Sequence, residues 1–212
     1  MHSVYLCVAV LALIAPQAHA STFGINSLTG DGDSGISNTK TYTHAFDMAR
    51  NEANPFFING VQFAVGNISS GTDAVHGGSY TATGLNRTFQ NHPSAVSGGI
   101  GDAIDDFFYR AGAGNETITL KGLTAGQAYK TVFYTSNGYG GQEQTITFSD
   151  TGLSVSDVDR NSGRIEYTYN APVTGELTYT FSKESSGSFH QYAFTNEESS
   201  DIDSIMYKPI AG

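Results

Sequence analysis

Three stretches between Asn115 and Asp150 alternate apolar and polar residues with period two: Thr117–Lys121, Tyr129–Thr135 and Thr145–Ser149. That period puts every second side chain on one face, so each reads as a strand with one buried side. The same pattern recurs in Ile165–Tyr169 and in Glu176–Ser182, where Leu177, Tyr179 and Phe181 are expected inside. Earlier in the chain, Thr41–Met48 sets Tyr42, His44, Phe46 and Met48 on one face. Phe56–Val65 reads as a strand with Phe57, Val61, Phe63 and Val65 inward, and Asn59-Gly60 is a candidate hairpin turn that would split it. Tyr80–Phe89 is interrupted by Gly84, Phe189–Thr195 forms the next strand, and Ile202–Tyr207 a last short one. A first short strand falls within Ser21–Lys40, ahead of a loop.

One segment departs from this rhythm. In Asp102–Arg110, Ile104, Phe107 and Phe108 fall at helical spacing behind Asp102, a good N-cap, which predicts a short helix at 102–110 packed over one end of the body. About ten strands with regularly spaced turns predict an all-β fold, a two-sheet β-sandwich of jelly-roll, galactose-binding-like type.

Composition adds three constraints. Val4–Ala15 is apolar but too short to span a bilayer, and Ala18-His19-Ala20 follows as a small-x-small cleavage signature. Residues 1–20 therefore read as a signal peptide cleaved near Ala20, leaving 21–212 as a single exported domain. The single cysteine, Cys7, lies within that leader, so no disulfide is expected to support the fold. The net charge of −10 opposes phosphate backbones and anionic bilayers, which makes nucleic acid and membranes poor partners. No second apolar stretch offers a membrane anchor.

Two resemblances follow from particular phrases. The link Gly122-Leu123-Thr124-Ala125-Gly126-Gln127-Ala128-Tyr129 resembles the corner of fibronectin-III-type sandwiches, in which a Leu closes the core, a Gly turns the chain and a Tyr opens the next strand. Lys40–Asp47, Ile58–Phe63, the Leu123–Tyr129 corner and Ser188–Glu197, with its F-H-x-Y-x-F-x-N-E phrase, resemble an uncharacterised extracellular bacterial family. That family occurs in Verrucomicrobia, Planctomycetes and Lentisphaerae, often beside PEP-CTERM sorting tails. The resemblance covers about 40–197 and implies the sandwich fold and export, with no activity attached. Lys208–Gly212 does not look like such a tail, so surface anchoring is not expected from it.

Candidate chemistry is sparse. The histidines beyond the leader, His44, His76, His92 and His190, show no metal-ligand spacing, and His44 and His190 share strand faces with large rings. There is no nucleophile elbow, H-E-x-x-H motif or P-loop. Paired carboxylates for glycoside hydrolysis must face each other across a cleft, and Asp105-Asp106 are sequence neighbours instead. A polysaccharide lyase or glycoside hydrolase therefore stays an alternative, with His190 and Tyr192 its best acid–base pair. Asp31 and Asp33 sit in a glycine-rich turn and Asp201 and Asp203 repeat the D-x-D spacing; both offer the hard oxygens of a structural Ca2+ site, against ordinary polar turn chemistry. Glycan recognition needs a ring beside amide and carboxylate groups. Asn137, Tyr139, Gln142 and Glu143 supply these in one loop, although the chain has no Trp. The expected function is an exported, non-catalytic module binding polysaccharide or cell-surface glycan. The main alternative is a structural or extracellular-matrix module without a small ligand.

Overall fold

The computed structural model describes residues 21–50, 55–91, 94–136, 144–148, 151–152, 154–156, 162–183 and 189–199. The expected all-β sandwich is what forms. A seven-stranded sheet contains β1 (Thr22–Ser27), β2 (Tyr42–Asp47), β3 (Phe56–Ile58), β4 (Val61–Val65), β10 (Ala128–Thr135), β13 (Gly163–Asn170) and β16 (Ala193–Glu198), in the order β1-β13-β10-β16-β2-β4-β3. A six-stranded sheet contains β5 (Ser70–Thr72), β6 (Ser79–Thr83), β9 (Glu116–Lys121), β11 (Gln144–Phe148), β12 (Ser154–Ser156) and β14 (Glu176–Lys183), in the order β12-β11-β14-β9-β6-β5. A third, small sheet joins β15 (His190–Gln191), β8 (Phe107–Tyr109) and β7 (Arg87–Phe89). Pairing is antiparallel except between β2 and β4, which run parallel. These strand orders carry the sandwich reading but not the finer jelly-roll one.

The main core lies between the two large sheets. Strand β13 shows why: its residues alternate strictly, with Ile165, Tyr167 and Tyr169 buried and Arg164, Glu166 and Thr168 turned outward. Leu177, Tyr179 and Phe181 face them from β14, all buried as expected. Phe194 is the hub, with ring centroids 5.3 Å from Phe46, 5.7 Å from Tyr80 and 5.9 Å from Phe133. At the corner, Leu123 and Tyr129 enter this core, and the Tyr129 hydroxyl accepts the Thr124 N–H at 3.1 Å.

A second core covers the opposite face of the seven-stranded sheet. There Ala45, Val132, Tyr134, Tyr192 and Ala193 meet Leu28, Ile36, the β3–β4 hairpin and a short helix. Strand β10 is consequently buried on both faces, Tyr129 and Phe133 in one core and Val132 and Tyr134 in the other.

Two expectations need correction. The helix at 102–110 is instead α1 (Gly99–Ala103), and Phe107–Tyr109 is strand β8. The cap is Asp31 rather than Asp102: its carboxylate accepts the N–H groups of Gly99 at 3.1 Å and Ile100 at 2.8 Å. So short a helix cannot sustain itself, and the aromatic run beyond it finds strand partners on both sides. The helix also lies on the outer face of the seven-stranded sheet, among the second-core residues, not over one end.

The inner set of 56–65 is also revised. Asn59-Gly60 does split the segment, both residues with positive φ (49° and 80°), as a primed two-residue turn requires. The resulting register pairs Phe57 with Gln62 and puts Ile58, Val61 and Phe63 on the buried face, so Phe57 points outward at 52% exposure. Val65 keeps the inner parity but runs past the covering layer and is 46% exposed. The expected strand Phe189–Thr195 divides at Tyr192 into β15 and β16, each in a different sheet. The expected strand Ile202–Tyr207 lies outside the described residues.

Removing the hub ring tests this packing. Phe194→Ala should lower unfolding free energy by about 3–5 kcal/mol, read from urea denaturation; a change below about 1 kcal/mol would contradict the assigned core.

Candidate functional site

His190 and Tyr192, the acid–base pair suggested by the sequence, meet where β15 gives way to β16. The His190 Nδ1 lies 3.2 Å from the Tyr192 hydroxyl. The imidazole stacks on Phe107 with centroids 4.1 Å apart and planes at 25°, while Tyr192 packs 5.0 Å from the same ring. Both side chains are buried. Beside them, Glu116 is also enclosed, accepting the Arg110 N–H at 2.8 Å and the Gln191 amide at 3.1 Å. The pair thus packs on the small sheet, enclosed at the point where β15 gives way to β16.

A buried carboxyl that the sequence reading passed over lies nearby in the chain path. Asp47 ends β2, where Met48 N–H donates to the Tyr192 carbonyl at 2.8 Å. Its carboxyl is 1% exposed and lacks a well-formed hydrogen bond, the Ala49 N–H opposing the effect of burial only weakly. Arg50 approaches to 3.7 Å, and the guanidinium also sits 4.2 Å above the Phe56 ring. Burial pushes the Asp47 carboxyl up to about 8; Arg50 opposes this, and Asp106 and Asp105 reinforce it. Asp105 is raised to about 6, first by burial and then by Asp106 and Asp102. At neutral pH Asp47 therefore keeps its proton. The sequence signal was available: a lone carboxylate between Phe46 and Met48 on a strand buried along most of its length.

Polar atoms inside the main core form one connected chain. The Tyr179 hydroxyl donates to Thr131 Oγ1 at 2.6 Å, and Thr131 donates to Asn196 Oδ1 at 2.6 Å. Tyr169 donates to the same oxygen at 2.9 Å, and Asn196 Nδ2 donates to Thr43 Oγ1 at 2.7 Å. Thr43 lies at a bulge between β2 and β16. From there the chain reaches His44, whose Nε2 lies 2.9 Å from the Ser79 carbonyl and Nδ1 2.9 Å from Thr43 Oγ1. A carbonyl only accepts, so Nε2 carries the proton and Nδ1 takes the hydroxyl's. Burial lowers the His44 pKa, which keeps the ring neutral. His76 has a different role: its Nδ1 meets Asp73 at 2.7 Å, and Asp73 also accepts the N–H groups of Ala45, Val75 and His76.

The acidic turn is likewise engaged. Asp31 caps α1, and Asp33 accepts from Thr29 N–H, Thr29 hydroxyl and Gly30 N–H, at 2.7 to 3.0 Å. These bonds, the Thr29 hydroxyl first, lower the Asp33 pKa. N–H groups aimed at both carboxylates suit a cap and a turn better than a Ca2+ chelate, whose cation would have to displace them. Among the described residues no three His, Cys, Asp or Glu side chains are grouped to hold a metal ion. Asn137, Tyr139, Gln142, Glu143, Asp201 and Asp203 lie outside the described residues.

No family model, curated protein or solved structure gives a significant match to this chain.

Asp47 makes stability depend on pH. Its folded pKa lies above its unfolded value near 4, so its contribution favours folding most below pH 4 and is lost as pH rises towards 8. Between pH 5 and pH 8.5 the unfolding free energy should fall by on the order of 3 kcal/mol, and Asp47→Asn should remove most of that slope. Parallel slopes for the two proteins in urea titrations would show that Asp47 is ionised in the fold.

Proposed function

We propose that the protein is an exported, non-catalytic β-sandwich module that binds glycan through residues 137–143. The observation that carries this reading is how the described acid–base candidates are used. His44, Asp31, Asp33 and the His190–Tyr192 pair hold backbone or buried groups in place. Their chemistry is that of a framework, which moves recognition to the connecting segments. Residues 137–143 join the end of β10 in one large sheet to the start of β11 in the other. Their Asn, Tyr, Gln and Glu supply a ring for a sugar face and groups for its hydroxyls. The apolar leader, the small-x-small site before Ser21 and the resemblance to an exported bacterial family support secretion. A structural module without a small ligand is the second reading, favoured by the exposed apolar side chains Phe23 and Ile25 on β1.

Binding to a panel of immobilised bacterial, algal and plant polysaccharides tests the first reading. A signal that weakens about tenfold in Tyr139→Ala is expected. Absence of any glycan signal, or one untouched by that substitution, would overturn it.

A further inference from the structure

The four outer edges of the two large sheets are not alike. Strands β3, β5 and β12 each have three residues, the short edge with which natural sheets discourage edge-to-edge pairing. The fourth edge, β1, runs for six residues and pairs with β13 in unbroken register from Thr22↔Thr168 to Ser27↔Gly163. It carries none of the usual protections. Thr22-Phe23-Gly24-Ile25-Asn26-Ser27 has no proline and no charged side chain, and the first acidic residue after it is Asp31. Among the described residues, no strand pairs with the outer side of β1.

The side chains on this strand point to a partner. Phe23 is opposite Tyr167 and Ile25 opposite Ile165, so both lie on the core-facing side of the sheet. They extend that apolar face beyond the last covered strand, at 43% and 56% exposure. An unpaired backbone edge with an apolar strip alongside it is the surface used in β-strand addition.

We propose that the occupant is a second copy of this chain, paired antiparallel through β1 about a two-fold axis at Gly24. Charge permits this choice at this edge: two molecules of net charge −10 repel wherever acidic surface meets acidic surface, and six residues without charge leave one place where they can approach. Geometry is what supports it. With Gly24 opposite Gly24, Phe23 of each copy faces Ile25 of the other, and parity puts all four side chains on one side of the joined sheet. Glycine at the axis leaves the opposite side of the crossing open. The joined sheet has fourteen strands, and the two cores meet through a Phe–Ile cluster. This inference does not depend on glycan binding.

Sedimentation equilibrium of the purified protein, from about 1 µM to about 200 µM, tests it. A reversible dimer is expected, strengthened by added salt as like charges are screened. Ile25→Lys puts like charges opposite apolar side chains and should weaken the dimer at least about tenfold. Ile25 is more than half exposed, so the variant should keep the parent's circular dichroism and melting temperature. Val173→Lys, at a fully exposed turn position, should leave association unchanged. A monomer at every concentration, or a dimer indifferent to both Ile25→Lys and Phe23→Lys, overturns the proposal. So does a monomer whose β1 amides resist exchange until the chain is cut after Ser199, because its own C-terminal segment would then cover the edge.

Discussion

The structure depends on burying the seven-stranded sheet on both faces around β10. One face meets the six-stranded sheet, and the other meets a layer of turns, hairpin and helix. A strand in that position cannot leave polar groups for water to satisfy, so each must find a partner within the protein. Thr131 and Asn196 lie within this region and are the points at which Tyr179, Tyr169 and Thr43 converge. With no disulfide to constrain the unfolded chain, rings and aliphatics supply the burial, and this network fixes which strand sits beside which.

Asp47 is an exception. Its carboxyl lacks the well-formed hydrogen bonds that satisfy Asn196 and His44, and neither the Arg50 guanidinium nor the Ala49 N–H offsets the burial. A neutral carboxylic acid is the state this environment favours at ordinary pH. The difference from Asp33 is instructive: its carboxylate accepts from the Thr29 hydroxyl and from the N–H groups of Thr29 and Gly30, which lowers its pKa. Residue type alone does not separate the two cases; the surrounding donors do.

Most of the strands were legible in the sequence because period-two alternation reports one buried face directly, as in Leu177, Tyr179 and Phe181. The Leu123–Tyr129 corner and the Asn59-Gly60 turn were legible because few residues satisfy those backbone geometries. Phe107 and Phe108 misled because their spacing behind Ile104 fits a helix, while their partners, Arg87–Phe89 and His190–Gln191, are distant in sequence. Phe57 misled because a hairpin turn resets the parity that an unbroken strand would keep. The candidate site was legible in part. His190 and Tyr192 do meet, but their stacking on Phe107 and their burial depend on a sheet assembled from three separate segments. The double burial that sets the Asp47 pKa depends equally on long-range packing.

Burial of β10 on both faces is the constraint on which the packing rests, and native-state hydrogen exchange reads it strand by strand. The amides of Ala128–Thr135 that bond to β13 and β16 should exchange only through global unfolding, with the slowest rates in the molecule. Exchange in β10 as fast as in the short edge strand β5 would contradict it.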